Sequence, residues 1–283
     1  MASLSVAMRR FGLNLVLLVI VLGLAGLVGW QLQQRAQQTQ STRLLPLTLA
    51  DLNSIVVERQ DEGGVSQLVL KRDGEQWSLV QPVLAEANPI KLRQLVTLLD
   101  EKVEASYPRA NKDLTRYGLE PRQRMISFNG NELVLGDTNP VSNYRYILNG
   151  EQIQLVNETI YSLLTEAWVN FISLQLVPAT FQLTAVQLPA GFAESPQLVS
   201  AWKTAQAIRL DALDPQAITP DLQKVILSST TQQGVTERKE LLILNLKDEL
   251  VLGDVTKQVA YVLPISQAAQ LFPAKTGLET APK

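Results

Sequence analysis

Glu132-Leu133-Val134-Leu135-Gly136-Asp137 recurs as Glu249-Leu250-Val251-Leu252-Gly253-Asp254, and this recurrence decides how the rest of the chain is read. In a chain of 283 residues an identical hexapeptide arises by chance on the order of once in a thousand. The flanks repeat too. The first copy runs on to Tyr144-Arg145-Tyr146-Ile147-Leu148 and a helix-like Asn157 to Leu164; the second runs on to Tyr261-Val262-Leu263 and then Ser266 to Phe272. Each copy reads as strand, Gly-Asp turn, strand and short capped helix.

Upstream of the first copy, Asn88-Pro89 opens a stretch in which Ile90, Leu92, Leu95, Val96, Leu99 and Val103 recur at helical spacing, with Asn as N-cap and Pro at the first helical position. Ser195-Pro196 followed by Leu198, Val199 and Trp202 is its counterpart. Ile55 to Glu58 and Gln67 to Lys71 form an entry hairpin, then Asp73-Gly74 leads to Trp77 to Val80. Asn129-Gly130 and Asn149-Gly150 are further hairpin signals, and the second half has its own across Val225 to Leu244 with Gln233-Gly234 near the turn. Short turns join most strands and long helical crossovers are few, so the sheets are expected to be antiparallel.

At the other end, Phe11 to Trp30 is twenty residues without a charge, preceded by Met8-Arg9-Arg10. As a helix it spans about 30 Å, the thickness of a bilayer hydrocarbon core. A cleaved signal is the competing reading, but signal cores run to about 7–15 residues, and no clean small-x-small site precedes the polar sequence. Arg9 and Arg10 then place the amino terminus in the cytoplasm and the bulk outside it, in the periplasm of a prokaryote. The fold class expected is therefore α+β: two related antiparallel sheet-plus-helix lobes, from internal duplication, behind one N-terminal transmembrane helix. The divisions are a cytoplasmic tail (1–10), the anchor (11–30), a Gln-rich linker (31–47), a first repeat lobe (48–178), a second, degenerate repeat lobe (179–274) and a flexible tail (275–283).

Composition narrows the chemistry. The hydrophobic fraction of 46% and charged fraction of 18% are those of a folded protein. Setting Arg9 and Arg10 aside, 23 basic residues face 27 acidic ones, so there is no basic excess to favour nucleic acid. There is no cysteine and no histidine. Thiolate nucleophiles, disulfides, an N-terminal lipid-modified cysteine and the usual base of serine hydrolases are thereby excluded. Carboxylate, lysine, serine and tyrosine chemistry survives.

Ile55-Val56-Val57-Glu58, Trp77-Ser78-Leu79-Val80-Gln81-Pro82, Tyr117-Gly118-Leu119-Glu120-Pro121, Leu135-Gly136-Asp137 and Tyr144-Arg145-Tyr146 follow one another in an order that resembles a bacterial family known as domain of unknown function 4340. The resemblance covers Ile55 to about Leu176, with a degenerate continuation to Phe272. Some members of that family look like membrane-anchored envelope proteins accompanying ABC-type transporters of the gliding-motility kind, so the resemblance implies an accessory role. It supplies no catalytic residues. The signature positions Trp77, Pro82, Tyr117, Gly118, Leu119, Pro121, Gly136, Asp137 and Tyr146, with Gly253 and Asp254 in the second copy, have structural readings: Trp77 as a core anchor, Gly118 and Pro121 shaping a turn, Gly136 with Asp137 making a tight hairpin connection.

Candidate surfaces are few. Tyr107, Arg109, Lys112, Arg116, Tyr117, Arg122 and Arg124, with Asp113 and Glu120 among them, carry a local charge of +3 in an acidic domain and form the candidate interaction surface. A helix from Glu158 to Leu174 would carry a wide apolar stripe, read as lobe–lobe core. Asp137 with Asp254, Asp211 with Asp214, and Glu237 with Glu240 are the carboxylates left for acid–base work, with Asp-bearing turns the plainer reading. No catalytic motif, metal loop or phosphate-cradling loop is present, and no cofactor is expected. The chain is expected to be a non-enzymatic, single-pass module of the cytoplasmic membrane whose periplasmic lobes bind an envelope or transporter protein. A ligand or glycan receptor using an inter-lobe cleft is the alternative, and a carboxylate-dependent glycan-processing enzyme the third reading.

Overall fold

Residues 21–26, 28–29, 43–61, 64–230 and 236–274 are described by the structure, a computed structural model. Most of the anchor, all of the cytoplasmic tail, most of the Gln-rich linker, the Gln233-Gly234 turn and the carboxyl-terminal tail lie outside the described residues. Within the anchor, 21–26 and 28–29 are helical, with Val21, Leu22, Leu24 and Val28 exposed. Among the described residues no helix is long and apolar enough to cross a membrane.

Two antiparallel sheets and a few short helices make up the rest. The first lobe contributes β1 (Ser54–Asp61), β2 (Gly64–Asp73), β3 (Gln76–Gln81), β4 (Ala85–Glu86), α1 (Pro89–Thr97), β5 (Ala105–Pro108), β6 (Arg124–Phe128), β7 (Asn131–Thr138), β8 (Tyr144–Asn149), β9 (Gln152–Asn157) and α2 (Thr159–Thr165). The second contributes β10 (Leu183–Gln187), α3 (Leu198–Thr204), β11 (Arg209–Ala212), β12 (Lys224–Thr230), β13 (Thr236–Asn245), β14 (Leu250–Asp254), β15 (Val259–Leu263) and α4 (Ala268–Leu271).

Strand order relates the lobes. The nine-stranded sheet runs β4-β3-β2-β1-β6-β7-β8-β9-β5 and the six-stranded sheet runs β10-β12-β13-β14-β15-β11. Drop β2 to β4, and the first order becomes β1-β6-β7-β8-β9-β5, which matches the second strand for strand. The connections match as well. A helix follows the first strand or hairpin set (α1, α3), the next strand runs to the far edge (β5, β11), a 3-10 turn follows it (Leu114–Tyr117, Pro215–Ala217), and a four-strand meander ends in a short helix.

The repeated hexapeptide does not mark this equivalence. Its first copy lies in β7, whose counterpart is β13; its second lies in β14, whose counterpart is β8. Nor does Gly-Asp form a turn in either copy, since Gly136 and Asp137 are inside β7, and Gly253 and Asp254 close β14. What the two copies share is a physical requirement. Leu-Val-Leu-Gly fits a strand covered on both faces, and Leu133 and Leu135 indeed join the main core while Val134 joins a second cluster on the opposite face of the sheet.

Local signals explain most elements. Asn88 caps α1 by accepting from the Ile90 and Lys91 amides at 3.0 and 3.5 Å, Pro89 starts the helix, and Leu92 and Leu95 are buried. Positive φ at Asn129 (50°) and Gly130 (85°) makes the two-residue β6–β7 turn. The helix expected from Glu158 to Leu174 breaks instead. Its first part is α2, Glu166 and Ala167 are extended, and Trp168–Phe171 is a separate 3-10 turn. The break lets both halves bury apolar residues from one short segment: Ile160 and Leu164 in α2, Phe171 and Ile172 beyond it.

One continuous core joins the lobes. Leu79, Leu95, Ile160 and Phe171 belong to the same buried cluster as Trp202, Leu210 and Tyr261. The chain between the lobes is docked, with the Leu176 amide donating to the Ala205 carbonyl at 3.2 Å and the Ala207 amide to the Leu174 carbonyl at 2.8 Å.

Candidate functional site

The signature residues from Tyr117 to Tyr146 form one packed unit, apart from Trp77, which joins the main core. Leu114, Leu119, Val134, Leu148 and Ile153 make the second apolar cluster, and Tyr117 and Tyr146 cover it edge to face, ring centroids 4.9 Å apart. Gly118 closes the 3-10 turn in the left-handed region (φ 65°), where a Cβ would meet the Asp137 carboxylate at 2.4 Å. A Cβ on Gly136 would lie 2.2 Å from the Tyr117 carbonyl oxygen. Thus Tyr117-Gly118-Leu119 and Leu135-Gly136-Asp137 need each other's glycines. The peptide bonds before Pro82 and Pro121 are cis. Trp77 is buried, as its reading as a core anchor requires.

Arg145 locks the unit. Its guanidinium donates to the Gly136 carbonyl, to Thr138 Oγ1 at 3.1 Å and to both oxygens of Glu158, and it lies 4.1 Å above the Tyr161 ring. These bonds hold the irregular register of β7 between Leu135 and Thr138. Arg124 also faces Tyr161, at 4.9 Å, and its buried Nε has no hydrogen-bond partner. A small polar hollow of about 190 Å³ separates the two arginines from Asp137.

The basic segment is dispersed by this packing. Arg109 pairs with Glu151 at 3.6 Å, Arg116 with Asp113 at 4.0 Å and Arg122 with Glu132 at 3.2 Å. Tyr117 and Arg124 turn inward, while Tyr107 (46% exposed) stands on the edge strand β5 and Lys112 is exposed in the following turn. The +3 charge counted along the chain is thus largely answered by carboxylates from neighbouring strands. Of the other candidate carboxylates, Asp211 pairs with Arg209, Asp214 caps the Gln216 amide and Glu240 pairs with Lys224, while Glu237 is exposed on β13, where it lines a cleft.

A cleft of about 1020 Å³ opens where the lobes meet. Leu84, just before β4, overhangs it from the first lobe; Pro178 to Phe181 of the connecting segment and Ile218 to Leu222 form the sides; β13 and the β14–β15 turn form the base. Leu84 is 73% exposed, an apolar side chain with no cover of its own.

Charged groups gather beneath the apolar rim. Asp254, 1% exposed, lines the cleft; its Oδ1 accepts from the Lys257 amide at 3.1 Å, and Lys239 Nζ lies 3.1 Å from Oδ2, an ionic contact outside hydrogen-bond alignment. Lys239 also donates to the Leu176 carbonyl at 3.2 Å. Lys257 Nζ donates to the Tyr261 hydroxyl at 3.2 Å, and both ammonium groups stand 5.8 Å from the Tyr261 ring centroid. Glu86 reaches the cluster from β4, its carboxylate accepting from the Ala179 amide at 3.3 Å.

Burial sets the protonation of this cluster. Desolvation lowers the Lys257 ammonium to about 8, the Lys239 charge pushes the same way, and Asp254 and Glu86 offset only part of it. Burial raises the Tyr261 phenol, with the negative charges of Asp254 and Glu86 adding to the effect. The site therefore presents a lysine that is partly neutral near physiological pH, beside a phenol that stays protonated.

Asp254 is the one member of this cluster among the residues singled out by sequence. Lys239 had a readable signal. It precedes Leu241 and Ile243 on the same face of β13, where the two-residue period calls for an apolar side chain, and those two are 0% and 8% exposed. Lys257 and Tyr261 carried none. Among the described residues no group of carboxylates is placed to hold a metal ion.

A family model described as "Domain of unknown function (DUF4340)" matches residues 77–263, from Trp77 in β3 to the end of β15. No curated protein and no solved structure matches.

Proposed function

Since the chain belongs to the DUF4340 family, over a stretch that runs from β3 through the junction to the end of β15, we propose that it is a non-enzymatic ligand receptor, tethered to the cytoplasmic membrane by Phe11 to Trp30 with its lobes outside the cytoplasm. The cleft carries this reading. It lies on the second lobe, where the connecting segment and Leu84 of the first lobe meet it, its volume is that of a small-molecule site, and an apolar rim surrounds a few convergent polar groups. The shared strand order supports internal duplication as its origin. The missing histidine and cysteine support binding over chemistry. A second reading, an accessory subunit of an envelope or transporter complex, rests on the uncharged anchor and the family resemblance.

Native mass spectrometry tests the receptor reading. Full-length protein taken from its membrane in mild detergent is expected to carry a bound mass that is lost in Leu84→Trp and Leu222→Trp, which fill the cleft. Absence of any bound mass, or its retention in both variants, contradicts the reading.

A further inference from the structure

We propose that Lys257 is a nucleophilic amine of the cleft, forming a reversible imine with the carbonyl group of an apolar-bodied aldehyde or ketone seated there. The inference rests on the receptor reading and names the ligand class for that site. Three features place the amine for this chemistry. Lys257 lines the cleft and is half-buried there. Tyr261, itself 0% exposed, fixes the amine by accepting its hydrogen bond at 3.2 Å. Lys239 supplies a neighbouring positive charge, and the pairing of a desolvated lysine with a second cation is a known route to an amine that attacks carbonyls. The nearest carboxylate, that of Asp254, is in contact with Lys239, and its Oδ2 has no aligned donor.

The step balances without a further reactant. The lone pair of the neutral amine adds to the carbonyl carbon, and the carbinolamine then loses water whose two hydrogens come from the amine and whose oxygen comes from the carbonyl. The imine that remains is hydrolysed by the reverse path. Leu84, Phe181, Leu222 and Val255 give the ligand's body an apolar surface, which disfavours a small hydrophilic carbonyl compound.

The test uses decanal with cyanoborohydride, which reduces the imine to a stable secondary amine, on the full-length protein in detergent, with the sites read by peptide mass spectrometry. With an amine at about 8, roughly a quarter of Lys257 is neutral at pH 7.5, against about one in a thousand for an ordinary lysine. Labelling of Lys257 is therefore expected to be at least tenfold faster than that of the exposed Lys71 and Lys203, with a rate that rises through a midpoint near pH 8. Filling the cleft by Leu222→Trp is expected to remove the advantage of Lys257 while leaving Lys71 and Lys203 unchanged. Labelling of Lys257 no faster than those two, in the wild-type protein, overturns the proposal. If the native bound mass is present and Lys257→Met retains it in full, the cleft remains a receptor and only the imine is wrong; if no bound mass exists and decanal is not captured, both readings fall.

Discussion

Gly136→Ala destabilises the protein by about 3 kcal/mol or more, while Gly253→Ala, the same substitution in the same hexapeptide, changes stability by less than about 1 kcal/mol. Neither glycine needs its freedom at positive φ, so the contrast is steric. At Gly136 the added Cβ falls 2.2 Å from a backbone carbonyl, that of Tyr117, which is held by the turn it belongs to and cannot swing aside. Either β7 or the Tyr117-Gly118-Leu119 turn must withdraw, opening the cluster around Leu119 and Val134. At Gly253 the nearest atoms are the side-chain carbons of Leu244 and Leu213, at 3.2 and 3.3 Å, and a few tenths of an ångström of side-chain movement relieves them. Thermal unfolding measures the difference. For a domain of this size each kcal/mol moves Tm by about 2–4 °C, so a fall of roughly 6–12 °C is expected for Gly136→Ala.

Arg145→Met costs about 3 kcal/mol, read by urea denaturation. The side chain of Arg145 is 10% exposed and that of Glu158 is 36%, so the pair is only partly desolvated and sits at the low end of the range for breaking a buried ion pair. The loss has three parts. Glu158 keeps its charge without a partner, the Gly136 carbonyl and Thr138 hydroxyl lose their donor, and the Tyr161 ring loses the cation over its face. Arg145→Lys recovers less than half, because an ammonium cannot serve Glu158, Thr138 and Gly136 together as the planar fork does. In the Arg145→Met background, Glu158→Gln is expected to be neutral or stabilising. An equal cost in both backgrounds would mean that the two residues act independently.

The topology was only half legible. Turn chemistry at Asn129-Gly130 and Asp73-Gly74, and the cap at Asn88 with Pro89, act through neighbours in sequence, so these elements were readable residue by residue. Two antiparallel lobes followed from them. The hexapeptide misaligned the repeat by one strand, because six residues specify only a strand buried on both faces, and the sheet has several. Gly136 and Gly253 look alike in sequence, yet what approaches each comes from Tyr117 in one case and from Leu213 and Leu244 in the other, contacts no local pattern encodes. The basic segment failed for the same reason. Its counter-charges Glu132 and Glu151 arrive from β7 and the β8–β9 turn. The cleft cluster was the least legible: Asp254 and Lys257 are neighbours in one turn, but Lys239 reaches them from β13 and Glu86 from β4 of the other lobe.

The measurement closest to the central claim, that this junction is where the protein meets its ligand or partner, is site-resolved photo-cross-linking in living cells. A photoreactive residue at Leu84 or Leu222, at the cleft, is compared with one at Arg116 or Lys112 on the basic segment, all in the full-length chain. Adducts are expected from both cleft positions and none from the two on the basic segment. Adducts from Arg116 and Lys112 alone would contradict the claim and move recognition to the face that the ion pairs cover.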